Sequence, residues 1–208
     1  MSTFRIAVFA SGDGSNFQAI VDQVHAGTLD VHIELLICDN KTAKVIQKAE
    51  EAGIDVFVFD PKAYESKQQY EAHIVEELKE RNVALLVLAG YMRLLSSTLL
   101  TPYQGRVINI HPSLLPAFPG KNGLQDAMEY GVKVTGCTVH FVDDGMDSGP
   151  VIAQRVMDIK EEDTLALLSQ KMKQLEHQLY PEVIQQCREG RIILKDRRVI
   201  VAKDIGGN

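Results

Sequence analysis

Apolar positions along the chain follow two alternating rhythms. From Phe4 to Ile110, apolar runs of strand length are separated by stretches in which apolar residues recur every three or four positions. The runs are "FRIAVFA" (4–10), "HIELLICD" (32–39), "DVFVFD" (55–60), "ALLVLAG" (84–90) and "RVINI" (106–110). "ALLVLAG" carries no polar side chain, as a strand covered on both faces requires. Residues 16–25 place Phe17, Ile20, Val21 and Val24 on one helical face. "AKVIQKAEEAG" predicts a second helix, with Gly53 suited to the left-handed position after its end. "KQQYEAHIVEELKERN" predicts a third, with Tyr70, Ile74, Val75 and Leu78 turned inward. This order predicts an α/β protein: a twisted, mainly parallel sheet with helices on both faces. Ligands of such sheets bind beyond the carboxyl ends of the strands.

The second half changes rhythm. "VTGCTVHFVDD" (134–144) and "GPVIAQRVMDI" (149–159) predict two strands joined by "GMDS". A long helix is expected from about Glu161 to Arg188, interrupted and kinked at Pro181. "GRIILKDRRVIVAK" (190–203) predicts a small terminal hairpin. No internal repeat, low-complexity tract or linker divides the chain, so 1–208 is expected to form a single domain.

Composition narrows the setting. Hydrophobic residues make up 45% of the 208 residues, which fits a soluble globular protein. The net charge of −6 and the absence of a basic run disfavour a nucleic-acid partner. No apolar stretch approaches the roughly 20 residues of a membrane span. Cys38, Cys137 and Cys187 are odd in number and widely spaced, which suits a reducing cytoplasm better than a disulfide framework. The histidines lack metal-ligand spacing, so no metal is expected.

Two segments carry candidate chemistry. "FASGDGSNFQ" (9–18) joins a strand to a helix; Gly12 and Gly14 permit a tight turn, and Ser15 or Asn16 suits a helix cap. Free amides there suit a phosphate. The loop lacks the third glycine of a dinucleotide fingerprint and the Gly-Lys-Ser/Thr of a Walker loop. A single phosphate monoester and a plain capped turn account for it equally well. In "RVINIHPSLLPAFPG" (106–120), Asn109 and His111 stand two apart, on one face at the end of a strand. An amide and an imidazole placed together can hold an oxyanion and move a proton; alone, the pair reads better as a buried histidine bonded to backbone. "DDGMDSGP" (143–150) supplies Asp147, which could orient His111 and favour its protonated form. No nucleophile motif of the G-x-S-x-G kind is present.

Taken together, "ASGDGSN", "LAGYMRLL", "NIHPSLLPAFPG", "TVHFVDDGMDSGPVI" and "EHQLYPEVI" resemble the phosphoribosylglycinamide formyltransferase family, in the same order and nearly end to end. The resemblance implies the formyltransferase fold and transfer of a formyl group from 10-formyltetrahydrofolate to the amine of glycinamide ribonucleotide. It implies Asn109, His111 and Asp147 as the catalytic trio, with His140 nearby. It implies Gly14, Ser15, Asn16, Asn109, Lys173 and Glu176 at the ribonucleotide; Lys173 stands where many relatives have Gln. It implies Lys67, Met92, Arg93, Leu94, Leu95, Asp143, Asp144, Gly145, Met146 and Asp147 at the folate. The mononucleotide half would span about 1–100 and the catalytic and folate half about 101–208. Histidines that many relatives carry after "FPG" are missing from "KNGLQDAMEYG". Formyltetrahydrofolate hydrolase usually has an extra N-terminal domain and methionyl-tRNA formyltransferase an extra C-terminal one. The sequence opens on its first strand and is acidic, so neither is favoured. A non-catalytic nucleotide-binding module would leave the trio unexplained. The partners expected are small molecules, with no nucleic acid and no membrane; the oligomeric state stays open.

Overall fold

A computed structural model describes residues 3–202. The strands are β1 (Arg5–Phe9), β2 (His32–Cys38), β3 (Val56–Val58), β4 (Leu85–Leu88), β5 (Val107–His111), β6 (Val134–Phe141) and β7 (Val151–Asp158). They form one seven-stranded sheet in the order β3-β2-β1-β4-β5-β6-β7. The first five strands in that order run parallel; β6 and β7 are antiparallel. The chain leaves β1 to one side through β2 and returns to its other side through β4, so the sheet has its switch point there, where α/β ligand sites form.

Alternation along each strand divides the core between two faces. Ile6 and Val8 join one apolar cluster with Phe17 and Ile20 of α1 (Ser15–His25) and Val45 of α2 (Lys44–Glu51). Leu179 and Val183 of a long C-terminal helix complete that layer. Ala7 and Phe9 face the other cluster, with Tyr70, Ile74, Val75 and Leu78 of α3 (Lys67–Glu80) and Leu99 of α4 (Ser97–Leu100). Burying an aliphatic or aromatic side chain of this kind is worth about 1.5–3 kcal/mol. The inward faces predicted for α1 and α3 are thus the buried ones, although Val24 is only partly covered.

Several boundaries differ from the sequence expectation. The N-cap of α1 is Gly14, in left-handed geometry with no side-chain capping bond, so neither Ser15 nor Asn16 caps it. Helix α5 (Gly123–Tyr130) occupies "KNGLQDAMEYG", where no element was expected, and α4 is likewise additional. The long helix α6 spans Leu165–Arg188, starting later than Glu161. Asp163 Oδ2 accepts from Lys160 N at 2.9 Å and closes a turn. Thr164 then caps the helix by accepting from Leu167 N at 3.2 Å. Pro181 does not interrupt α6. It is buried in the helix just after Tyr180, whose hydroxyl reaches Leu88 O at 2.8 Å and Ile108 O at 3.1 Å. That anchor and the apolar packing around it hold α6 to β4 and β5. The terminal hairpin forms as β8 (Ile192–Lys195) and β9 (Arg198–Val201); Lys203, the end of the expected hairpin, lies outside the described residues.

Candidate active site

Three chain segments leave the carboxyl ends of β1, β4 and β5 on the same edge of the sheet, and the loop after β6 joins them. They enclose a cavity of about 460 Å³. Of the residues expected at the site, Asn16, Met92, Arg93, Leu94, Leu95, Asn109, His111, Asp143, Gly145, Met146, Asp147 and Glu176 line it, together with His140. Gly14, Ser15, Lys67, Asp144 and Lys173 do not.

The imidazole, amide and carboxylate are brought together by register and by loop ties. Asn109 pairs with His140 across the β5–β6 ladder, so their side chains rise on the same face. His140 Nδ1 lies 2.8 Å from Phe141 O, an acceptor only, so Nδ1 carries the proton. Burial lowers the pKa of His140, which leaves the ring neutral near pH 7 and Nε2 an acceptor. Asn109 Nδ2 donates to it at 3.2 Å, which orients the amide and leaves a second N–H free. The 3.7 Å approach of His140 Nε2 to Asp147 is therefore not an ion pair.

His111 is 4% exposed. Its Nε2 donates to Phe118 O at 2.9 Å, and its Nδ1 lies 3.5 Å from Asp147 Oδ2. Both nitrogens face oxygen acceptors, an arrangement in which the doubly protonated ring is a donor on each side. Asp147 Oδ2 also accepts from Gly120 N at 2.8 Å, tying the acidic loop to the proline-rich loop. Asp147 and Phe118 hold left-handed backbone, φ 50° and 51°, which costs about 1–3 kcal/mol at a non-glycine residue and clusters at functional sites. Helix α5 begins hard against this cluster: a Cβ on Gly123 would lie 2.7 Å from Phe118 O and 3.0 Å from His111 Nε2.

At one end of the cavity, Asn16 Nδ2 donates to Glu176 Oε2 at 2.9 Å, joining α1 to α6. Burial raises the pKa of Glu176, partly offset by that hydrogen bond and by Lys173. Gly14 has φ 69°, and a Cβ there would sit 2.6 Å from Val45 Cβ, so only glycine lets α2 press against the loop. At the other end, the segment after β4 is held by its neighbours. Met92 N donates to Ser11 Oγ at 3.0 Å, Arg93 Nε donates to Asp39 Oδ2 at 2.5 Å, and buried Glu71 accepts from Ser96 N at 2.9 Å. Met92 and Leu94 remain 60% and 53% exposed, an apolar wall facing the opening. Lys67 Nζ rests 3.8 Å from Glu71 rather than at the cavity.

Sequence reasoning missed the Phe118 carbonyl, the Gly120 N–H, Lys121 and the Glu71 brace. The first two are backbone groups, whose direction no side-chain identity reports. Cys137 lies in β6, and burial raises its thiol to about 12, so it is no nucleophile at neutral pH. Among the described residues no cluster of three or more His, Cys, Asp or Glu is arranged to hold a metal ion.

An open α/β sheet bearing an amide, an imidazole and a carboxylate at its switch edge defines a class of enzyme that moves an acyl group without a side-chain nucleophile. The chain belongs to the formyl transferase family: residues 4–184 match its model. It is 53% identical to phosphoribosylglycinamide formyltransferase of Bacillus subtilis over 182 residues, 88% of this chain and 93% of that protein. It is 39% identical to the human trifunctional purine biosynthetic protein adenosine-3, over 91% of this chain but only 19% of that longer protein. Glycinamide ribonucleotide transformylase 1 of Symbiobacterium toebii superposes with a TM-score of 0.94 at 43% identity, covering 97% of this chain and 95% of its own.

Proposed function

We infer that the chain transfers the formyl group of 10-formyltetrahydrofolate to the amine of glycinamide ribonucleotide, a one-carbon step of de novo purine biosynthesis in the cytoplasm. The observation that carries this reading is the position of Asp147. It stands 3.5 Å from His111, between an Asn16–Glu176 end suited to a ribonucleotide and a Met92–Leu95 end suited to a folate. The cavity suits a flat ring system: Met92, Leu94 and Leu95 give it apolar lining, and Asp143 and Asp147 also line it. The bound folate supplies an electrophilic formyl carbon.

The chain's own groups then have separate tasks. The free N–H of Asn109 and the Nδ1–H of His111 stabilise the oxyanion formed when the amine adds to the formyl carbon; the adduct then collapses with cleavage of the bond from that carbon to the folate nitrogen, which takes up the proton lost by the amine and leaves as tetrahydrofolate. The 3.5 Å separation from Asp147 is long for a hydrogen bond, so the carboxylate does not fully engage Nδ1. Asp147 keeps the ring oriented and balances its charge. Gly14, Ser15 and Asn16 receive the phosphate at the start of α1, and Glu176 the ribose hydroxyls, with Lys173 alongside. Lys67 serves the tail of the folate, and Asp144 belongs to the loop 143–147 that faces its pterin ring. The mononucleotide work falls to about residues 1–100 and catalysis with folate binding to about 101–208, with 92–95 at their border. The reaction needs no metal, and no nucleic acid or membrane takes part; among the described residues, no helix is long and apolar enough to cross a membrane.

A formyltetrahydrofolate deformylase from Pseudomonas syringae shares the fold at TM-score 0.89 and 26% identity, so water is the rival acceptor. An acceptor screen separates the two. The purified chain is given 10-formyltetrahydrofolate with water alone, with glycinamide ribonucleotide, or with charged initiator tRNA. Formylated ribonucleotide as the sole rapid product is expected; formate released equally fast without it, or formylated tRNA, overturns the reading.

A further inference from the structure

The terminal hairpin lies beyond the segment that matches the family model, which ends at residue 184. It reaches the loop that carries Asp147 through Arg197. Arg197, in the hairpin turn, donates from Nη2 to Ser148 O at 2.6 Å, across 49 residues of chain. Ser148 directly follows Asp147 and closes the loop from within by donating to Asp143 Oδ1 at 2.6 Å. Gly149 comes next, packed so closely on Phe141 O that no Cβ fits. Val199 packs on the main core and anchors the hairpin. A groove of about 770 Å³ runs between the hairpin and the proline-rich loop, and Met146 and Asp147 border both it and the active-site cavity.

We propose that Arg197 is a positioning residue, which holds Asp147 at His111 by pinning the carbonyl of the next residue. Asp147 needs such a hold. Its left-handed backbone is strained, its link to His111 is loose at 3.5 Å, and Gly120 N ties its carboxylate from one side only. A guanidinium on Ser148 O fixes the peptide that follows the strained residue. A charge-assisted bond at an exposed site gives an effect of about 5- to 10-fold. The proposal rests on the formyl-transfer reading, since it concerns how that site is held.

The test compares wild type, Arg197→Ala, Arg197→Lys and Lys195→Ala in the full chain, measuring kcat, both KM values and the pH dependence of kcat. Lys195 is exposed in the same hairpin and serves as control. Arg197→Ala is expected to lose about 5- to 10-fold in kcat with the ribonucleotide KM unchanged and an altered pH profile; Arg197→Lys recovers part, and Lys195→Ala matches wild type. Wild-type kcat and pH profile in Arg197→Ala overturn the proposal, as does a loss that Lys does not relieve or that Lys195→Ala shares. Absence of transfer in the wild-type enzyme refutes instead the formyl-transfer reading.

Discussion

Asn109 Nδ2 and His140 Nε2 face each other at 3.2 Å across the β5–β6 ladder, and the proton that His140 keeps on Nδ1 decides which way the amide turns. His140 is thus expected to act through Asn109. His140→Leu removes the acceptor and should lower kcat about tenfold with both substrates still bound, the worth of one oriented hydrogen bond. His140→Gln keeps an acceptor and should recover part of the loss. Burial lowers the His140 pKa below its ordinary 6.5, so the ring takes a proton only in acid and then turns a donor toward Asn109. The acid fall of kcat should therefore be shallower in His140→Gln than in wild type. Equal pH profiles in the two enzymes contradict this role.

Gly14→Ala should weaken ribonucleotide binding by tenfold or more and spare folate binding. Left-handed backbone costs an L-residue about 1–2 kcal/mol, and the new Cβ meets Val45. Calorimetric titration of each ligand checks it; an equal loss for both would mean that the phosphate site lies elsewhere.

Glu176→Gln is expected to stabilise the ligand-free protein while weakening the ribonucleotide. Burial raises the Glu176 pKa above its ordinary 4.5, so the folded chain holds this proton more tightly than the unfolded one. The stability this group contributes is full below 4.5 and is lost as pH rises through the raised folded value. At pH 7, above the unfolded value, holding this carboxyl in its buried place costs stability that the neutral amide avoids. Each 1 kcal/mol relieved should raise Tm by about 2–4 °C at this size. Melting curves at pH 4 and pH 7 read it: the variant's advantage should appear at pH 7 and fade at pH 4.

Gly123→Ala tests the packing of α5 on the imidazole. The Cβ would press on Phe118 O and His111 Nε2, so the ring must shift by tenths of an ångström. A kcat loss of several-fold is expected, below the roughly 10²-fold that a full 1 Å misplacement of a reacting group can cost. Unchanged kcat would mean that the ring position is slack.

Much of this was legible in the sequence, for physical reasons. "ALLVLAG" is apolar throughout, and "FRIAVFA" is apolar but for Arg5 at the start of its strand, because β4 and β1 are covered on both faces. Asn109 and His111 share a face because a strand has a period of two. The resemblance of five motifs supplied the partners that spacing alone leaves open. Other features depend on distant contacts. Asn16 was read as a cap, yet its amide goes to Glu176, 160 positions away. Four-residue α4 and glycine-led α5 are too short for periodicity to register. Pro181 predicts an interruption and kink of α6, but apolar packing around Tyr180 outweighs one missing backbone bond and the helix runs on.

The proposed mechanism makes Asn109, His111 and Asp147 one reaction centre. Its most direct test is turnover of Asp147→Asn, His111→Asn and the double variant, with binding of both substrates measured separately. General acid–base help is worth about 10²–10⁴-fold. Each single variant should lose kcat by that order with binding retained, and the double variant should lose far less than the product, because the two side chains act as a unit. Near-wild-type turnover in Asp147→Asn, or losses that simply multiply, would contradict the claim.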